Sequence, residues 1–249
     1  LSGVITSLGV ITYILYSNRA KISSLDGVLS KVVFAIMILG LSMYLYFKIP
    51  LSAILLFGVW PLIILCNGFL FVKVSNKKTS KILINLLIGG VVAAAPISIY
   101  HLYHGSIISW YNDTVVSALM LTNLSFIQKS NFFDYLIYGV HSTLQFSSLS
   151  VVLNGLYWVF LILISFVLGL RVFFKICVKT NSKSTSFALP MIAVFYSLIS
   201  VHYQIPIYLY YTVGLSICGF LWVTEMKTFV SKNLMMLFIT IVSLVAINF

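Results

Sequence analysis

Residues 151–170, VVLNGLYWVFLILISFVLGL, pass without one charged side chain before Arg171, and this run restricts the possible folds more than any other feature. A helix of that length is about 30 Å long, the thickness of a bilayer's hydrocarbon core. Comparable apolar runs occupy 1–17, 32–47, 51–74, 82–102, 186–201, 205–223 and 234–249, and the run opened above extends over 151–178. Only 8% of the residues are charged and 61% are hydrophobic, whereas soluble domains carry about 25% charged residues. None of the runs alternates polar with apolar residues, as a lipid-facing strand around a wet lumen does. The expected fold class is all-α: a polytopic transmembrane helix bundle of about eight spans, one transmembrane domain over residues 1–249. The chain starts at Leu1 inside an apolar run, with no charged leader or cleavage site ahead of it, and reads as part of a longer polypeptide.

The links between runs sort by charge. Arg19, Lys21 and Lys31 flank the first; Lys73, Lys77, Lys78 and Lys81 crowd KVSNKKTSK; Arg171, Lys175, Lys179 and Lys183 surround KICVKTNSKS; Lys227 and Lys232 lie in TEMKTFVSKN. These are alternate links, and only Lys48 and Lys129 fall outside them. By the positive-inside rule the basic links are expected in the cytoplasm, which predicts a multi-pass protein of the plasma (inner) membrane with segment 104–150 outside. The net charge of +11 is thus assigned to orientation and to anionic headgroups. No basic run is dense enough for nucleic acid. Cys66, Cys177 and Cys218 show no metal-ligand spacing and are expected to be packing residues; no cofactor is evident.

On this map the outer face receives all four histidines, His101, His104, His141 and His202, with Asp113 and Asp134. Segment 104–150 exceeds an ordinary loop and carries Trp110, Tyr111, Tyr135 and Tyr138. Phe132, Phe133, Leu136, Ile137 and Val140 recur at helical spacing with Asp134 off their face, which predicts amphipathic helices on the outer face. Gly89-Gly90 and Ala93-Ala94-Ala95 predict close helix approach in the preceding run, and Pro96 predicts a kink near its exit. In residues 200–211, SVHYQIPIYLYY, positions 201–204 are expected to turn and Pro206 to sit in the first turn of the next helix. His202, Gln204 and the tyrosine hydroxyls then provide hydrogen-bond donors at the level of lipid phosphates. An interfacial aromatic belt accounts for the same tyrosines without a ligand.

Three stretches carry a resemblance. INLLIGGVVAAAPISIYHLYHGSIISWYNDTVV, SVHYQIPIYLYYTVGLSICGFLW and LSAILLFGVWPLIILCNGFL resemble the later part of bacterial integral-membrane glycosyltransferases of the C-type fold, the protein-mannosyltransferase and aminoarabinose-transferase relatives. The likeness spans 31–223 and consists of degenerate hydrophobic patterns. It implies transfer of a sugar from a polyprenyl-phosphate carrier to a lipid, glycan or protein acceptor on the outer face. By position it places His202 and Tyr203 near the carrier phosphate, with Tyr103, His104, Trp110 and Tyr111 lining the outer cavity. The family's catalytic carboxylate follows the first span, and nothing here matches it, since Asp26 falls in a basic link.

Sugar transfer from a phosphate leaving group needs a carboxylate base and donors for the departing phosphate. His202, Gln204 and Lys129 are candidate donors, and Asp113, set among aromatics, is the candidate base. Three other classes stay open. A transporter predicts paired ionisable residues in mid-span or an inverted repeat, and neither is visible. A polysaccharide polymerase or ligase calls for arginine in an outer loop, and the outer segments hold none. A membrane subunit without chemistry requires no complete constellation.

Overall fold

The computed structural model describes residues 2–19, 27–117, 120, 131–178, 187–203 and 206–224, and among these every regular element is helical. In chain order they are α1 (Ser2–Ser17), α2 (Val28–Lys48), α3 (Leu51–Phe71), α4 (Asn76–Tyr103), α5 (107–116), α6 (Phe132–Gln145), α7 (Leu149–Val178), α8 (Ala188–Tyr196), α9 (Leu198–Tyr203) and α10 (Pro206–Thr224). Among the described residues four helices are long and apolar enough to cross a membrane: Val28–Tyr46, Leu51–Phe71, Asn76–Tyr103 and Leu149–Cys177. Gly3–Ser17, Ala188–Val201 and Ile207–Trp222 are shorter apolar helices, and run 234–249 lies outside the described residues.

Local chemistry explains the breaks. Ile49 is extended at φ −123° and ψ 134°, as a residue before proline must be, and Pro50 then caps α3. The Lys48-Ile49-Pro50 turn returns the chain antiparallel, so that Gly58 meets Leu45 and Gly68 receives the ring of Phe34. Within α3, Ile54–Gly58 is a π segment, closed where the Val59 N–H donates to the Ile54 carbonyl. Pro61 lacks the N–H that would serve the Phe57 carbonyl, so the wider register sits where the regular ladder is already interrupted.

The core fills the space between α1, α2, α3, α7, α8 and α10. Phe34, Phe57, Phe195, Ile64 and Met191 are essentially inaccessible there. Trp60 packs edge-on to Phe166 at 5.3 Å and lies over Gly169, whose missing side chain makes room for the indole. Interhelical polar contacts add Ser165 Oγ to Ser216 Oγ at 3.0 Å and Ser200 Oγ to Thr212 Oγ1 at 2.9 Å. Hydroxyl pairs of this kind satisfy groups that lipid cannot.

Tyr16 ties α1 to α3: its hydroxyl stands 2.8 Å from the Ile64 carbonyl oxygen and 2.9 Å from Asn67 Oδ1, so one proton serves two acceptors. Tyr16→Phe is expected to cost about 1 kcal/mol, the net worth of a buried hydrogen bond. Denaturant titration in detergent micelles measures it, and an unchanged midpoint would show that the hydroxyl contributes nothing.

Several expectations change. Cys66, Cys177 and Cys218 are exposed rather than packed in the core, although Asn67 Nδ2 does reach Cys177 Sγ at 3.7 Å. Gly89 and Gly90 have nothing within 4 Å of a built Cβ, so among the described residues no helix approaches closely there, and none of the apolar length of α4 is buried by them. Helix α4 continues through Pro96 to Tyr103. It is anchored at its first turn, where Asn76 Oδ1 accepts from the Leu29 N–H at 2.9 Å, Ser30 Oγ accepts from the Val74 N–H, and Thr79 is buried.

Helix α6 forms as expected, and Phe132, Phe133 and Leu136 of the expected face do pack on the core, but that face is shifted at its far end. Phe132, Gly139 and Ser142 are buried, while Ile137 and Val140 are exposed. The reason is close approach: α6 pairs antiparallel with the first half of α7 through Gly139 and Gly155, which leaves the larger aliphatics outside. Tyr135 stacks against Trp158 at 4.7 Å in the same hairpin. At its base Phe132 meets Phe57 of the π segment edge-on at 5.6 Å.

Candidate functional site

The described helices put Arg19, Lys31, Lys73 and Lys81 at one end of the bundle, with Arg171 and Lys175 in the last two turns of α7 at the same end. Contacts between Gly27 and Lys73 and between Tyr16 and Asn67 hold the links of that end together. The opposite end carries both described acids, Asp113 and Asp134, together with His101, His104 and His141. The charge segregation anticipated from the links is thus present in the described residues.

At this opposite end a helix terminus builds an aromatic cluster. Gly105 takes φ +63°, its N–H donates to the Leu102 carbonyl at 3.2 Å, and the Ser106 N–H donates to the His101 carbonyl at 2.8 Å. This paired closure is a Schellman motif, and glycine fits the left-handed position without a Cβ penalty. It turns the chain sharply and starts α5, in which the Trp110 N–H donates to the Ser106 carbonyl at 2.9 Å. The turn brings Trp110 back over α4, so that its ring stacks on His101 with centroids 5.2 Å apart and planes 21° apart. His101 Nδ1 lies 2.9 Å from Ser106 Oγ, which fixes the imidazole in the stack. Tyr100 packs on His104 at 4.5 Å, and Tyr103 meets His104 edge-on at 5.2 Å.

Of the residues singled out from sequence, Tyr103, His104 and Trp110 belong to this cluster. Tyr111 is exposed on α5, and Asp113 is exposed in the π segment Asn112–Val116 that continues it. The Thr114 hydroxyl donates to the Trp110 carbonyl at 2.6 Å, which ties the Asp113 turn to the stacked indole. Tyr100 and His101 were not among the candidates. Their signal was available: both lie within one helical turn of His104, and a Gly-Ser step follows that returns the chain onto them.

Helix α9 runs through His202 and Tyr203, so these residues close a helix instead of forming the expected turn. Pro206 opens α10, as anticipated. Helix α9 packs on α1, α8, α10 and the π segment of α3, whereas α5 packs on the end of α4. The two regions share an end of the bundle and are built on different helices. Gln204 and Lys129 lie outside the described residues.

The arrangement offers a flat π surface of Trp110 and His101, phenols of Tyr100 and Tyr103, a second imidazole on His104 and a carboxylate one helical turn past the indole. Aromatic faces of this kind stack on the apolar face of a sugar, and imidazole and phenol donate to or accept from hydroxyls and phosphates. No group of three or more potential metal-ligating His, Cys, Asp or Glu side chains occurs among the described residues. Comparison with protein-family models, curated proteins and solved structures finds no match for the chain.

Proposed function

We propose that the chain is a membrane glycosyltransferase that moves a sugar from a polyprenyl-phosphate carrier to a lipid, glycan or protein acceptor at the outer face of the plasma membrane. On this reading the basic end is cytoplasmic, and 234–249 is the last of eight spans. The observation that carries the reading is the Gly105 turn, which gathers Tyr100, His101, Tyr103, His104 and Trp110 beside Asp113 at the end remote from the lysines.

In the proposed step Asp113 accepts the proton of an acceptor hydroxyl as its oxygen bonds to the anomeric carbon. The bond from that carbon to the phosphate oxygen breaks, and polyprenyl phosphate leaves with the electron pair. Donors at His202, Tyr203, Gln204 and Lys129 stabilise the departing charge. The stacked indole of Trp110 holds the sugar face. A polymerase or ligase that grips pyrophosphate through arginine is less well supported, because both described arginines, Arg19 and Arg171, stand at the basic end.

The test is reconstitution of the protein, as its gene encodes it, in liposomes with a radiolabelled polyprenyl-phosphate sugar and membrane-extract acceptors. Transfer of label is expected. Trp110→Ala is expected to raise KM for the donor about tenfold, the worth of one aromatic stack. Absence of transfer with every polyprenyl-phosphate sugar supplied, from protein that remains folded, refutes the assignment.

A further inference from the structure

The exposed length of α4 and the lysines at its foot point to a ligand unconnected with sugar transfer. Lys73, Lys77, Lys78 and Lys81 are exposed within the first two turns of α4 and the link before it. No acid among the described residues stands at that end, since Asp113 and Asp134 lie at the other. Above the lysines, a groove of about 590 Å³ opens between α1, α4 and α8, lined by Gly3, Ser7, Val10, Ile11, Leu86 and Tyr196 along with Thr6. That volume falls in the range of about 300–1,000 Å³ for clefts that hold ligands.

Position and chemistry agree. Leu86 is about 15 Å along α4 from Asn76, and Gly3 to Ile11 covers about 12 Å of α1, at 1.5 Å per residue. Lys78 lies about 12 Å along α4 from Leu86 and about 80° around it, whereas Lys81 lies about 140° around, so a lipid whose phosphate is at Lys78 reaches the groove at Leu86 with its chain. Its walls are apolar or small, with the hydroxyls of Thr6 and Ser7 the polar exceptions on α1; Ser7 Oγ already donates to the Gly3 carbonyl at 2.8 Å. Gly3, Gly89 and Gly90 have nothing within 4 Å of a built Cβ, so no protein element closes onto these surfaces among the described residues.

We propose that this groove holds one anionic phospholipid of the bilayer, its phosphate on Lys78 and one acyl chain between α4 and the α1/α8 face. The charge complementarity selects the anionic headgroup, and the groove selects a chain-bearing ligand over a free ion. The lipid supplies packing that the described residues do not give α4 along its apolar length.

The experiment is native mass spectrometry of the detergent-extracted full protein, loaded from nanodiscs of phosphatidylcholine with or without phosphatidylglycerol. One phosphatidylglycerol per chain is expected to survive detergent dilution that strips phosphatidylcholine. K78Q is expected to lower its retention about fivefold, the effect of one lysine at a membrane surface, and K81Q, on the far side of α4 from Leu86, to leave it unchanged. R171Q, on another helix of the same end, is expected to leave retention unchanged. Ser7→Leu, which fills the groove and keeps the lysines, is expected to abolish retention.

Three results overturn the proposal. Equal retention of the two lipids removes the headgroup's role, and wild-type retention by K78Q removes the lysine's. Inorganic phosphate raising the thermal midpoint as far as phosphatidylglycerol does removes the acyl chain's.

Discussion

Asp113→Asn is expected to lower the rate of sugar transfer by about 10²- to 10⁴-fold, the usual contribution of a positioned general base. The amide keeps the size and hydrogen-bonding reach of the carboxylate and loses only its ability to take a proton. Because Asp113 is exposed on α5 and holds no part of the core, thermal stability is expected to stay at the wild-type value. The measurement is initial rate against donor concentration in proteoliposomes: kcat falls and KM for the carrier stays within about twofold if proton transfer is what was lost. Asp134→Asn serves as the comparison, since Asp134 is exposed in the first turn of α6 and on a different helix. Full transfer by the Asp113 variant would remove the proposed base.

Gly155→Leu is expected to disrupt the hairpin of α6 and α7. A Cβ on Gly155 would lie 2.5 Å from the Gly139 carbonyl oxygen and 2.7 Å from the Thr143 amide nitrogen. These are backbone atoms of a facing helix, so no rotamer change relieves the clash, and the helices must separate. Overpacking of well-packed sites costs about 1–3 kcal/mol and more where backbone has to move. Separation also pulls Phe132 away from Phe57 and Tyr135 away from Trp158. Limited proteolysis of the detergent-solubilised protein reads the outcome as faster cleavage within α6, with a lower thermal midpoint. Gly90→Ala is the control, because nothing lies within 4 Å of the added methyl group. That substitution is expected to be neutral or to stabilise α4 by up to about 1 kcal/mol through helix propensity. Equal behaviour of the two variants would mean that the α6/α7 crossing is not as close as it is drawn here.

The same crossing shows where sequence reasoning succeeds and where it stops. Long apolar runs such as 51–74 and 151–178 declare helices because their length and composition admit little else, and the structure places α3 and α7 on them. Helix α6 was also legible from its periodicity, and its inner face in part, since Phe132, Phe133 and Leu136 pack on the core. Counting large aliphatics favours Ile137 and Val140, whereas a close crossing favours the side with no side chain, at Gly139. Two glycines on separate helices do not announce that they face each other. The Gly89-Gly90 pair carried an equally good signal and met no helix among the described residues.

At the candidate site, Trp110, Tyr103 and His104 could be read from composition near the Gly-Ser step. The stack of His101 on Trp110 could not, because it depends on how far the Schellman turn rotates α5 back over α4. The π segment of α3 lies between these cases: Pro61 marks a missing donor, but nothing in the sequence says whether the ladder answers with a kink or with a wider turn.

Helix α4 is also a lever. Among the described residues its fulcrum is the contact of its foot with α2, through Asn76 on the Leu29 N–H and Ser30 on the Val74 N–H, and its far end carries the aromatic turn at Gly105. Over 28 residues the arm is about 42 Å long, so a tilt of about 5° at the fulcrum sweeps the aromatic end through about 4 Å. A displacement of that size is larger than a hydrogen bond is long, so the alignment of Trp110 and Asp113 depends on how firmly the far foot of α4 is held.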